Sequence, residues 1–158
     1  MISTRSMPLV GKGAFSKVYR KNAKRVLIKS KDPVKEAMAC GFFPESSMFP
    51  KVTHVGNSAC GNWKYYEEKY YPRVRSLKKK LTPFEWEFYC VLRDINWGVP
   101  TRDGIRSIPN KFTARRQALL DAHSGLQNYN PHPRFEISPR NVAVHNSKLI
   151  LLDCFFIH

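Results

Sequence analysis

The feature that most constrains the fold is the first 71 residues, where short strand-type runs alternate with turn sequences. Aliphatic and aromatic runs of this length, bounded by Gly, Asn and Ser, are typical of β-strands. Between them, Pro33 begins a short helix that ends before Gly41. The strand-type runs are Leu9–Val10, Lys17–Arg20, Arg25–Ser30, 51–55 and 63–71. This pattern predicts a β-rich N-terminal lobe, about 1–71.

The rest of the chain changes to helical periodicity and then returns to a hairpin. Residues 82–85 (Thr-Pro-Phe-Glu) form a capping box with proline at the first helical position. A loop rich in Gly and Pro is expected at 98–109, and a second helix over 112–126 with His123 among its inward residues. Two strand-type runs, 142–144 and 149–152, flank a turn. The inward face of the first helix is predicted to carry Phe84, Phe88, Val91, Leu92 and Ile95. This order predicts an α+β architecture, a single domain over 1–158 whose C-terminal lobe, 72–158, is helical.

The amino-acid composition limits the classes of protein to which this chain can belong. The 158 residues include 27 Lys and Arg against 12 Asp and Glu, a net charge of +15, and 42% are hydrophobic. This suits a packed domain rather than a disordered basic tail. No apolar run approaches the ~20 residues that a membrane span needs, and the first seven residues lack the apolar core of a secretory signal. We therefore expect a cytoplasmic protein with no membrane partner.

The excess of positive charge predicts an acidic partner. Basic residues cluster at 21–25 and at 73–80, and such patches attract either nucleic-acid phosphates or an acidic protein surface. No zinc finger, RNP-type strand or clear helix-turn-helix accompanies them, so charge alone leaves both partners open. The four cysteines are too widely spaced for a structural metal site and are expected to be reduced thiols.

A glycine-rich segment follows the first strand. Residues 11–19 read Gly-Lys-Gly-Ala-Phe-Ser-Lys-Val-Tyr, and two glycines one residue apart let a hairpin backbone approach an anion closely. The segment resembles the phosphate loop of protein kinases. That resemblance implies nucleotide binding by Gly11, Gly13, Ser16 and Val18, with Ser16 where a third glycine often lies.

The kinase resemblance extends to the third strand and the helix after it. Residues 26–29 read Val-Leu-Ile-Lys and resemble the V-A-I-K motif, which implies that Lys29 holds the ATP phosphates. A helical glutamate pairs with that lysine in kinases. Glu36 is the predicted partner, with Glu45 as the second candidate.

The catalytic segment of kinases has a degenerate counterpart near the C-terminus. Residues 134–141 read Arg-Phe-Glu-Ile-Ser-Pro-Arg-Asn, and Asp-Cys-Phe follows the hairpin at 153–155. The resemblance to H-R-D-L-x-x-x-N and D-F-G implies that Glu136 is the catalytic carboxylate. It also implies that Asn141 and Asp153 bind Mg²⁺ alongside ATP.

Several positions depart from the kinase pattern. Glu136 is one methylene longer than the usual Asp, and a shift of about an ångström at a reacting group can cost on the order of 10²-fold in rate. Ser138 stands where many protein kinases have a lysine, and Phe155 replaces the last glycine of D-F-G. The chain ends at His158, so the resemblance implies a C-lobe truncated just after the D-F-G-like segment. The trimmed kinases of phages and bacterial effectors, which act on host regulation in the host cytoplasm, resemble this arrangement.

Three functions remain open from the sequence. The first is a minimal ATP- and Mg²⁺-dependent Ser/Thr protein kinase acting on a host or partner protein. The second is a pseudokinase that docks an acidic protein through its basic surface and transfers no phosphate. The third is a nucleic-acid binder on the same scaffold.

Overall fold

A computed structural model describes residues 1–95 and 98–157. The chain is α+β, as the sequence predicts. It divides into two compact units. The first comprises Met1–Gly41 and Lys51–Tyr71, and the second comprises Phe42–Pro50 and the chain from Pro72 onward.

The first unit is built on a five-stranded antiparallel sheet with the order β1-β2-β3-β5-β4. Helix α1 (Pro33–Ala39) connects β3 to β4, and it begins where the Asp32 carboxylate accepts the Val34 N–H at 2.9 Å. This is an ordinary N-cap with proline at the first helical position. The strands are β1 (Leu9–Lys12), β2 (Ser16–Arg20), β3 (Arg25–Ser30), β4 (Thr53–Asn57) and β5 (Lys64–Lys69).

The register of the sheet sorts its side chains onto two faces. Val18 lies opposite Ile28, and Ile28 lies opposite Tyr66. These residues pack with Val26 and Val52 and with Met38 of α1, so this is the face that α1 covers. Because successive side chains in a strand alternate between faces, Lys17, Lys29 and Tyr65 share the opposite face.

The second unit contains the helices and two pairs of short strands. Its helices are α2 (Leu77–Lys80), α3 (Pro83–Arg93), α4 (Thr101–Arg106) and α5 (Thr113–Leu126), with 3₁₀ turns at Asn110–Phe112 and Pro139–Asn141. Strands β6 (Arg134–Phe135) and β9 (Phe155–Phe156) pair, as do β7 (Val142–His145) and β8 (Lys148–Leu151). Its core includes Phe88, Phe112, Leu119, Leu126, Leu149 and Phe155.

The predicted loop at 98–109 is wrong in its middle, where α4 forms. Pro100 precedes the first turn, and Gly104 lies inside the helix. A Cβ at Gly104 would come within 2.6 Å of Ile95 Cγ2. Gly104, whose residue type predicts a loop, is therefore a position in a helix where Ile95 packs closely against the backbone.

The inward face predicted for α3 is also wrong at its start. Phe88 and Leu92 are buried, but Phe84 is 45% exposed while Glu85 is only 3% exposed. Glu85 turns inward because its carboxylate pairs with Arg115 and accepts the Leu149 N–H at 3.0 Å. The Thr82 hydroxyl accepts the Glu85 N–H at 3.2 Å, so the predicted cap is present.

Within the described part of the chain, no helix is both long enough and apolar enough to span a bilayer.

Candidate functional site

The predicted phosphate loop is the β1–β2 hairpin of the first unit. Its turn is closed by a hydrogen bond from Gly13 N to Ser16 O at 2.8 Å. A Cβ at Gly11 would make ordinary contact with Val18, 3.5 Å away, and a Cβ at Gly13 would meet no atom within 4 Å. Neither glycine has a positive φ angle. The hairpin itself therefore does not require glycine at either position, and the space beside Gly13 is open.

Ser16, where a third glycine often lies in kinases, has a structural role. Its Oγ is 2.6 Å from Ser30 Oγ, which joins β2 to β3 next to the turn of the β1–β2 hairpin. The same end is held by the Lys31 N–H, which donates to Phe15 O at 2.9 Å. These contacts fix the base of the loop.

Lys29 lies against aromatic rings. Its Nζ is 5.4 Å from the ring centre of Trp63 and 5.9 Å from that of Tyr65, distances at which an ammonium is attracted to the ring face. Among residues 1–95 and 98–157, Lys29 makes no ion pair. It lies on the sheet face opposite Val18, so these two predicted nucleotide contacts do not share a surface.

The predicted ion pair between Lys29 and Glu36 is wrong. Glu36 pairs with Lys64 at the start of β5. Lys64 lies opposite Ser30 in the sheet, and this places it on the face that α1 covers. Lys29, one residue earlier, projects from the other face.

A buried ion pair that the sequence analysis missed anchors α1. Lys35 Nζ lies 3.6 Å from Glu68 Oε2, with side-chain exposures of 8% and 6%. Burial raises the pKa of the Glu68 carboxyl, and Lys35 opposes that rise. The strand pattern contained a signal, since Glu68 follows Tyr66 by two residues and so occupies the same buried face. A charge at such a position requires a partner.

In the second unit, hydrogen bonds connect the backbone around the predicted catalytic carboxylate, Glu136, with that of the two predicted magnesium ligands, Asn141 and Asp153. Glu136 N donates to Cys154 O at 2.9 Å, which extends the β6–β9 pairing by one residue. Asn141 O accepts from Leu152 N at 2.9 Å and from Asp153 N at 3.2 Å. Asp153 is thus held between the strand that leads into Glu136 and the turn that ends at Asn141.

The carboxylate of Asp153 is partly enclosed by the protein. Its Oδ1 is buried, and the next two residues, Cys154 and Phe155, are 3% and 0% exposed. The Phe155 ring meets those of Phe135 and Phe43 edge-on, at 5.4 and 6.0 Å between centroids. This packing fixes the backbone on both sides of the carboxylate.

Glu85 supports the same hairpin from α3, and the sequence analysis assigned it only to a cap. It bonds the N–H of Leu149 in β8 and pairs with Arg115 of α5. These contacts hold its pKa low although burial opposes ionisation. The anchored strand is the one that runs into Asp153.

No group of three or more His, Cys, Asp or Glu side chains arranged for a metal ion occurs in the described ranges. Mg²⁺ does not need such a cluster, because it is commonly held by one or two protein oxygens with water and phosphate completing its shell. An amide and a carboxylate at Asn141 and Asp153 fit that requirement.

Solved structures that resemble this chain include aminoglycoside phosphotransferases. The apo form of a thermostable mutant of APH(4)-Ia is 12% identical over 96% of this chain and 69% of its own, with a TM-score of 0.47. A GDP complex of an aminoglycoside 2′-phosphotransferase-IIIa mutant is 12% identical over 96% and 66%, at 0.48. The GDP and kanamycin complex of APH(2″)-IIIa is 13% identical over 95% and 66%, at 0.45. The chain thus spans about two thirds of the length of each of these proteins.

Neither a protein-family profile nor a curated protein sequence gives a match to this chain. The protein-kinase-like fold stays a prediction from the sequence motifs. In order along the chain, the structure has a β-rich unit with a helix after the third strand, then helices, then a hairpin that is followed by the half-buried Asp153. The roles of the individual site residues stay predictions.

Proposed function

We propose that the chain is an ATP- and Mg²⁺-dependent phosphotransferase whose acceptor is a Ser or Thr hydroxyl of a partner protein. The observation that carries this proposal is the pair of backbone connections around Asp153. One runs through Cys154 O to Glu136, and the other runs to Asn141 O. Phosphoryl transfer needs little covalent chemistry from the protein, so positioned oxygen ligands and a positioned carboxylate are its main demands.

Asn141 and Asp153 would hold the magnesium ion. When bound, the ion would neutralise charge on the ATP phosphates. Glu136 would accept a hydrogen bond from the acceptor hydroxyl and orient it. A carboxylate in this role contributes typically 10²–10⁴-fold to the rate.

The first unit would contribute the nucleotide contacts. The open space beside Gly13 supports a close approach of phosphate to the backbone of the Gly11–Gly13 turn. Lys29 makes no ion pair within the described ranges, so its ammonium can meet an added anion. Because Val18 and Lys29 lie on opposite faces of the sheet, only one of them is expected to contact the nucleotide.

A second candidate is a pseudokinase that binds a partner without transferring phosphate. It is favoured by the pairing of Glu36 with Lys64, which leaves Lys29 without the helical glutamate that active kinases use. The exposed lysines of α2 and the neighbouring arginines 73 and 75 would then dock an acidic protein surface.

Calorimetric titration with ATP, with and without Mg²⁺, tests nucleotide binding. We expect Mg²⁺-dependent binding that Asp153→Asn abolishes. Asp121→Asn, the same change on the exposed face of α5, leaves it intact. No binding by the wild-type protein contradicts both the kinase and its nucleotide site.

Transfer of the γ-phosphate from labelled ATP separates the two candidates. Glu136→Gln is expected to lower turnover by about 10²-fold or more while the affinity for Mg-ATP stays within about twofold. Tight binding with no transfer by the wild-type protein, to itself or to a panel of candidate protein substrates, favours the pseudokinase.

A further inference from the structure

The second unit contains a cavity to which the function above gives no role. Its volume is about 680 Å³, and its walls come from α4, α5 and the segment that leads into β6. This volume lies within the range typical of small-molecule sites. Its lining includes Val99, Arg102, His123, Pro133, Arg134 and Phe135.

The charge of the lining is mainly positive. Arg102 and Arg134 contribute guanidinium groups, and His132 also lines the cavity. The carboxylate of the lining, Asp103, is 60% exposed and lies 3.8 Å from Arg106 on its own helix. An anion in the cavity would therefore meet two arginines and a carboxylate that already faces a cation.

His123 is the buried polar group of the wall. It is 4% exposed, and its Nδ1 has no hydrogen-bond partner among the described residues. Burial, followed by the nearby Arg102, lowers the pKa of the imidazole and so favours its neutral form. A buried ring nitrogen without a partner is costly in a folded protein, and a ligand in the cavity would supply one.

Arg102 is held in place while most of its donors stay available. One Nη atom donates to Ser124 Oγ of α5 at 3.0 Å, and a guanidinium has five N–H donors in all. Arg134 is fixed at its backbone, where β6 pairs with Phe156. Two such planar groups suit the paired oxygens of a phosphate better than a single carboxylate.

We propose that this cavity binds a small molecule that carries a phosphate group, held by Arg102 and Arg134 with His123 Nδ1 donating to it. The site goes beyond the proposed phosphotransferase, whose nucleotide contacts involve other residues. The size of the cavity, about 680 Å³, favours a small molecule over a peptide, which needs an extended groove.

The experiment uses inorganic phosphate as the probe and acetate at equal ionic strength as the control anion. Binding is followed by thermal stability and by the imidazole NMR signals of the whole protein. We expect phosphate to raise the melting temperature and to shift the His123 signals, while acetate does neither. Arg102→Gln and Arg134→Gln should each weaken phosphate binding by about tenfold or more. Arg5→Gln, which removes the same charge from an exposed position outside the cavity, should not.

Four results would overturn the proposal. The first is equal phosphate binding by Arg5→Gln, Arg102→Gln and Arg134→Gln. The second is a response to acetate as large as that to phosphate. The third is loss of the phosphate response in Lys29→Ala, since that would place the anion at the nucleotide contacts. The fourth is an unchanged His123 signal in the wild-type protein at saturating phosphate, a result independent of whether any variant folds.

Discussion

Replacing Glu85 by alanine is predicted to destabilise the second unit more than any exposed charge change on the same helix. Glu85 is 3% exposed, pairs with Arg115 through both carboxylate oxygens, and bonds the Leu149 N–H. Removing one partner of a buried pair costs about 3–5 kcal/mol, because the remaining charge is left uncompensated. The unbonded N–H of Leu149 adds to this cost.

The matched control is Glu87→Ala on the same helix. Glu87 also forms an ion pair, with Lys111, but both side chains are about half exposed, at 50% and 48%. Exposed pairs contribute about 0–1 kcal/mol. The two substitutions remove the same side chain from positions two residues apart, so burial is the main difference between them.

The assay is urea unfolding followed by circular dichroism, supported by thermal melts. We expect Glu85→Ala to lower the unfolding free energy by about 3–5 kcal/mol, which corresponds to roughly 6–20 °C in melting temperature for a chain of this size. Glu87→Ala should change the melting temperature by less than about 4 °C. Equal effects of the two substitutions would refute the role given to Glu85 in anchoring β8.

Three further predictions concern stability. His123, whose pKa is lowered by burial and by Arg102, binds its proton more readily when unfolded. Stability should therefore be full above its unfolded pKa of ~6.5 and fall at lower pH, by at most ~1.4 kcal/mol per pH unit. The unfolding free energy, measured in urea at pH 7.5 and at pH 5.5, should differ less between the two pH values in His123→Gln than in the wild-type protein. An equal difference in the two proteins would contradict this prediction. Gly125→Ala should strongly destabilise the protein, because the added Cβ would come within 2.1 Å of Phe42 O. Gly13→Ala, where the added Cβ enters open space, should change the unfolding free energy by no more than about 1 kcal/mol. Thermal melting compares the two variants, and equal melting temperatures would contradict this prediction. Phe155→Ala removes a fully buried ring and should lower the unfolding free energy, measured in urea, by about 3–5 kcal/mol. Phe84→Ala removes an exposed ring and should lower it by about 1 kcal/mol. A loss at Phe155 no larger than that at Phe84 would count against a core built on Phe155.

The strands, helices and hairpin could be predicted from local patterns because their signals lie within single segments. The start of α1 at Pro33, the cap at Thr82 and the paired runs of β7 and β8 are examples. Helix α4 could not be predicted in this way, because Gly104 reads as a loop residue until the packing of Ile95 against it is known. The inward turn of Glu85 depends likewise on Arg115 and Leu149, 30 and 64 residues further along the chain.

The residues of the candidate site likewise include some whose neighbours the sequence could predict and some whose neighbours it could not. The grouping of Glu136, Asn141 and Asp153 follows from a hairpin between two motifs, and the backbone contacts agree with it. The partner of Glu36 could not be read from spacing, because it depends on which face of β3 and β5 the side chains occupy. Lys64 lies opposite Ser30, on the face that α1 covers, whereas Lys29, one residue before Ser30, lies on the other face.

The most direct test of the central claim is paramagnetic NMR with Mn²⁺-ATP in place of Mg²⁺-ATP. Mn²⁺ broadens the signals of nearby nuclei, so the amide signals that vanish first map the metal. We predict that the amides of Asn141 and Asp153 broaden at the lowest Mn²⁺-ATP concentration, and that Asp153→Asn removes this effect. Broadening centred on other residues, or none at saturating Mn²⁺-ATP, would contradict the assignment of this hairpin as a magnesium–nucleotide site.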